Sequence, residues 1–83
     1  MTETELSPRQ RLVMQCLVDG LSFKMIADKL GMQSGTAKKH AMRAREKVGA
    51  KSLYQCIAIL VARGVIVPAE INDVNNKEIG DHD

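Results

Sequence analysis

The sequence predicts an all-α fold of four short helices, and three observations lead there. Ser7, Ser22 and Ser52 each stand just ahead of apolar residues at helical spacing, the preferred arrangement for an amino-terminal helix cap. Glycines close these segments at Gly20, Gly31 and Gly64, and a further one between them at Gly49, where a left-handed residue ends a helix. The core chemistry agrees: 45% of the 83 residues are hydrophobic, yet there is one Phe, one Tyr and no Trp. A modest aliphatic core of this kind suits helix-on-helix packing better than a sandwich, in a single small domain.

In "LSPRQRLVMQCLVDG", Ser7 is the cap, Pro8 takes the first helical position and Gln10 completes a capping box. Leu12, Val13, Cys16 and Leu17 supply the apolar face of a first helix over Pro8 to Val18, with Gly20 as its stop. "LSFKMIADKLG" repeats the scheme with Ser22 as cap, Phe23, Ile26, Ala27 and Leu30 inward and Gly31 as stop. So short a helix is unstable alone and must pack on its neighbours. The brief glycine-containing turn to the next helix has the geometry of a helix-turn-helix.

The third helix runs from about Ser34 to Val48, with Gln33 and Ser34 competing for its cap. On a helical wheel Ala37, Ala41, Ala44 and Val48 share one side; Lys39, Met42, Arg43 and Glu46 lie opposite, with Lys38 at the flank. An alanine side approaches its neighbours closely while a long, mostly cationic side faces out. His40 points partly inward, and Arg45 and Lys47 read as ordinary surface charges. "SLYQCIAILVARG" carries a second capping box, Ser52 to Gln55, and a core stripe of Leu53, Cys56, Ile57 and Leu60. Tyr54, Ala58 and Val61 widen its apolar arc beyond one face, and that surplus predicts a second partner, preferably another copy of the chain.

Charge is segregated along the sequence. From Leu6 to Pro68 there are 11 Lys/Arg against three acids, Asp19, Asp28 and Glu46. After Pro68 five acids (Glu70, Asp73, Glu78, Asp81, Asp83) face Lys77 alone, and the overall charge is only +2. A basic folded part favours a polyanionic partner, with a plain solvated basic surface as the alternative. Residues 68–83 read as an acidic, disordered or loosely attached tail, in which Ile71 and Val74 allow at most a turn or two of amphipathic helix. Residues 1–6 read as an amino-terminal arm and 7–67 as the domain.

Several function classes are disfavoured. No apolar run approaches the roughly 20 residues that span a bilayer, and "MTETELSPRQ" is acidic rather than a basic leader, so a cytoplasmic chain without a membrane is expected. Cys16 and Cys56 lie far apart inside apolar segments and read as buried free thiols. No carboxylate pair, nucleophile set or metal-ligand spacing stands out, so neither an enzyme, a metal nor a cofactor is expected.

The stretches "LSPRQR", "GLSFKMIADKLG", "GTAKKH", "KVGAKS" and "RGVI" occur in an order that resembles the LuxR/GerE-type helix-turn-helix DNA-binding domain, over about Leu6 to Val67. With only six residues ahead of the first helix, the chain resembles the stand-alone members without an amino-terminal sensor domain. It departs from the family pattern at Gln33, where Ser or Thr is usual, at Ala37 and Ala44, where Val or Ile is usual, and at Met25, commonly acidic.

The resemblance implies a dimeric transcriptional regulator of double-stranded DNA with its third helix in the major groove. Carried over residue by residue, Lys38, Lys39 and Met42 would lie nearest the bases. Thr36, Arg43, Lys24 and Lys51 would hold phosphates. The apolar surplus of the fourth helix, Tyr54, Ala58 and Val61, would form the dimer surface, and RNA polymerase is a further possible partner. Two other readings stand beside it: a module like region four of a sigma factor, and a protein that sequesters a related regulator through its fourth helix.

Overall fold

Three of the four helices begin where a serine side chain satisfies one of the free N–H groups of the first turn. The computed structural model describes residues 5–68, and within them the order is α1 (Pro8–Val18), α2 (Phe23–Leu30), α3 (Ser34–Val48) and α4 (Leu53–Ala62). No strand occurs among the described residues. The acidic segment with Ile71 and Val74, and residues 1–4 of the arm, lie outside them.

The expected capping box of α1 is present: Ser7 Oγ accepts from the Gln10 N–H at 3.1 Å and the Ser7 N–H donates to Gln10 Oε1 at 3.0 Å. That reciprocal pairing accounts for the burial of Gln10, a polar side chain only 7% exposed. Ser22 caps α2 through the Met25 N–H at 3.2 Å. Ser52 caps α4 through the Gln55 N–H at 3.0 Å. The second half of the box expected on α4 differs, because Gln55 Oε1 accepts from the Lys51 N–H, at 2.6 Å, rather than from Ser52.

Gly31 makes the turn of the helix-turn-helix. Its φ of 69° and ψ of 42° lie in the left-handed region, which costs other residues strain, and its N–H closes on the Ala27 carbonyl. The chain then enters α3 after three residues, with Gln33 in extended conformation at the cap position and Ser34 as first helical residue. The competition between Gln33 and Ser34 is therefore resolved in favour of Gln33, without a side-chain cap bond.

α3 packs on all three other helices, and α4 leans chiefly on α3. Ala37, Ala41 and Ala44 have no accessible surface. Three methyl-sized side chains let α1 and α2 come close to the α3 backbone, which is why a helix with so few large apolar residues is central. Val13, Met14, Ile26, Cys56, Leu60 and Ile66 are the largest fully buried side chains of the core, with Cys16, Ala27 and Ala50 buried beside them. Val48, Leu53, Ile57 and Leu6 pack against it half-buried.

Two packing expectations change. Leu12 is 45% exposed, and Met14 takes the buried place on α1. Arg45 is not an ordinary surface charge: it is half-buried, and its Nη1 donates to the Ala50 carbonyl at 2.9 Å, fastening the end of α3 to the following turn. Cys16 and Cys56 are buried free thiols. Burial pushes the Cys56 thiol pKa up, partly opposed by the positive charge of Arg45.

Candidate nucleic-acid interface

The sequence of α3 separates one methyl-lined side from one cationic side, and packing turns the second outward. With Ala37, Ala41 and Ala44 committed to the core, Thr36, Lys38, Lys39, Arg43 and Glu46 are exposed. Met42 and His40 are half-buried, so Met42 contributes only part of its thioether to the outer surface. The helix carries five cations against one acid, and four of the cations, Lys38, Lys39, Arg43 and Lys47, are exposed.

At the start of α3 the backbone adds donors. The Thr36 and Ala37 N–H groups both close on the Gln33 carbonyl at 3.0 Å. The Ser34 and Gly35 N–H groups have no hydrogen-bond partner among the described residues. Free N–H groups at a helix amino terminus, with the positive end of the helix dipole behind them, suit an anion such as a phosphate.

The other predicted contacts fall on separate elements. Lys24 is exposed in the first turn of α2, next to Met25, which is 53% exposed. Lys51 is exposed in the turn between α3 and α4. Lys24 thus stands on the helix that precedes the turn, the element that crosses the DNA backbone in a helix-turn-helix. Lys38, Lys39 and Arg43 share α3 itself.

The predicted partner surface of α4 is uneven. Tyr54 is 86% exposed and Ala58 is exposed, whereas Val61 is half-buried and packs against the core. Sequence reasoning grouped the three because all lie outside the core stripe on a wheel. Only the neighbours of α4 decide which of them the domain itself covers. Leu12 and Val67, 45% and 60% exposed, form further apolar surface that the sequence did not single out.

No group of acidic, histidine or cysteine side chains able to hold a metal ion occurs among the described residues. No helix among them is long and apolar enough to cross a membrane.

Comparison with known proteins gives this geometry a family. Residues 4–60 match the model of the bacterial regulatory proteins of the luxR family. The chain is 37% identical over 65 residues to the transcriptional regulatory protein FixJ of Azorhizobium caulinodans, covering 78% of this chain and 30% of that protein. It is 30% identical over 64 residues to YdfI of Bacillus subtilis, covering 77% and 30%, and 33% identical over 61 residues to MctR of Rhizobium johnstonii, covering 74% and 28%. Both are transcriptional regulatory proteins as well. The chain thus spans under a third of the length of these relatives. No solved structure matches it significantly. The helix-turn-helix, the outward cationic face of α3 and the matched residues together establish that this chain belongs to the luxR family of bacterial regulatory proteins and is a DNA-binding transcriptional regulator domain.

Proposed function

We propose that the protein binds double-stranded DNA sequence-specifically in the cytoplasm as a homodimer, laying α3 in the major groove and joining its two copies through α4. The observation that carries this reading is the division of α3 into three fully buried alanines and an exposed row of Thr36, Lys38, Lys39 and Arg43. The second helix of a helix-turn-helix enters the groove by its amino-terminal residues. Lys38, Lys39 and the exposed part of Met42 then lie nearest base edges, where lysine donates to guanine O6 and N7 and a thioether meets a thymine methyl. Thr36, Arg43, Lys24 and Lys51 hold phosphates, which fix register without reading sequence.

Tyr54 and Ala58, which the domain leaves uncovered on α4, support the dimer. Two copies related by a two-fold axis present their α3 helices to half-sites about 10 base pairs apart, so the operator is palindromic. The same exposed arc also suits the helix of a related regulator, and a heterodimer that keeps such a regulator from DNA is the second reading. Contact with RNA polymerase is compatible with either.

Selection of bound duplexes from random DNA, with the mass of the complex measured alongside, tests the reading. A two-fold symmetric consensus bound by two chains is the expected result. No enrichment of any sequence overturns sequence-specific binding, and one chain per selected duplex overturns the dimer.

A further inference from the structure

Three of the four helices begin with a serine whose hydroxyl accepts an N–H bond of the first turn, at 3.1 Å for Ser7, 3.2 Å for Ser22 and 3.0 Å for Ser52. α3 instead begins with Gln33, exposed and without a cap bond. Glutamine is a poor cap, since its longer side chain loses more freedom when it folds back on the first turn. Helix stability does not explain its presence.

Gly35, two residues on, raises the same question independently. It lies in α3 without a positive φ, and a Cβ built there meets nothing within 4 Å. Neither backbone conformation nor packing inside the chain requires glycine, and glycine weakens a helix relative to alanine. What its missing side chain does provide is close access to the helix backbone from outside, beside the free N–H groups of Ser34 and Gly35.

Both choices fall on the end of α3 that meets DNA in a protein of this class. We propose, on the reading that α3 enters the major groove, that Gln33 is a specificity-determining residue that reads an adenine, and that Gly35 lets the DNA backbone approach the helix start. A glutamine amide offers one acceptor and a pair of donors on a planar fork. Adenine presents N6–H2 and N7 in the matching order in the major groove. An uncapped, solvent-facing Gln33 has both ends of its amide available for that pairing. Lysine ammonium groups are point-like donors and the half-buried Met42 offers only an apolar contact to a thymine methyl, so the amide adds the forked hydrogen-bond readout of adenine that neither supplies.

The test uses the full chain and the duplex that it selects. Each adenine of a half-site is replaced in turn by 7-deazaadenine, which lacks the N7 acceptor, and binding is measured for the wild type, Gln33→Ala and Gln33→Ser. At one adenine per half-site the wild type should lose about five- to hundredfold in affinity, while Gln33→Ala loses nothing further there. Gln33→Ser should show the same indifference and raise Tm by about 4 °C or more, because it restores the cap. Gly35→Ala should weaken binding to every duplex by a similar factor with Tm unchanged or raised. Equal 7-deazaadenine sensitivity in the wild type and Gln33→Ala overturns the role of Gln33, and undiminished binding by Gly35→Ala overturns that of Gly35. A wild type that selects no sequence at all defeats the groove-binding reading itself, a different result from a selected site that ignores Gln33.

Discussion

Gln15 holds Val67 by both ends of its side-chain amide: Nε2 donates to the Val67 carbonyl at 2.6 Å, and Oε1 accepts from the Val67 N–H at 3.1 Å. The amide thereby ties the segment after α4 to α1, 52 positions earlier in the chain. It also keeps Ile66, 1% exposed, seated in the core. Each such bond is worth about 0.5–1.5 kcal/mol net, and these two lie in solvent-exposed surroundings, so the low end applies. Gln15→Ala should lower stability by about 1 kcal/mol and Tm by roughly 4–8 °C. The Val67 amide should lose its protection from hydrogen exchange while amides within α3 keep theirs. An unaltered Val67 exchange rate would mean that the clamp does not hold in solution.

Replacing Lys38 and Lys39 together by alanine should abolish specific binding and leave the helical circular dichroism intact. Both side chains are exposed and the buried alanines behind them are untouched, so folding has no stake in them. Loss of two cations should also flatten the salt dependence. A dimer that neutralises about six to ten phosphates loses about 10³ to 10⁵ in affinity between low and moderate salt, and each lost contact reduces that slope. Binding that survives the double substitution with its salt slope unchanged would remove α3 as the reading helix.

How far the sequence alone reaches can be judged at these same residues. Ser7 with Gln10 and the turn at Gly31 were legible because caps and left-handed turns depend on residues a few positions apart. The alanine side of α3 was legible because one strong periodicity serves three neighbouring helices. Met14 was missed because a wheel gives the apolar arc of α1 without saying which part of it α2 and α3 cover. Arg45 was misread for a related reason: its long side chain reaches past the helix end to Ala50, and that meeting depends on the path of the turn. The Gln15 clamp joins residues too distant for any local pattern to reveal. Gln33 departs from the family pattern in the sequence itself, but no local pattern shows that its side chain leaves the start of α3 uncapped.

The α4 surface separates a clean test from a confounded one. Ala58 is exposed, so Ala58→Glu places a charge on the proposed dimer surface without burying it in the domain. Val61 is half-buried against the core, and Val61→Glu would also destabilise the fold by desolvating a carboxylate. Light scattering should therefore show dimers for the wild type and monomers for Ala58→Glu, with Tm changed little apart from the stabilisation lost with the partner. A wild type that stays monomeric at high concentration would defeat the dimer.

Stability above neutral pH should report on Cys56. The side chain has no accessible surface, and burial penalises the thiolate more than the nearby Arg45 charge favours it, so the thiol pKa is raised above its ordinary 9.0. The folded chain consequently holds this proton more tightly than the unfolded chain does. Its contribution to stability is complete below the unfolded pKa and is lost as the pH rises through the raised folded value, once the unfolded thiol has begun to ionise. Denaturant midpoints taken from about pH 8 to 10.5 should fall more steeply for the wild type than for Cys56→Ala, because the Cys56 thiol is present in only one of the two. Alanine lowers the midpoint at every pH through the cavity it leaves, so the comparison rests on slope rather than level. Parallel slopes would show that Arg45 offsets the burial of the thiol in full.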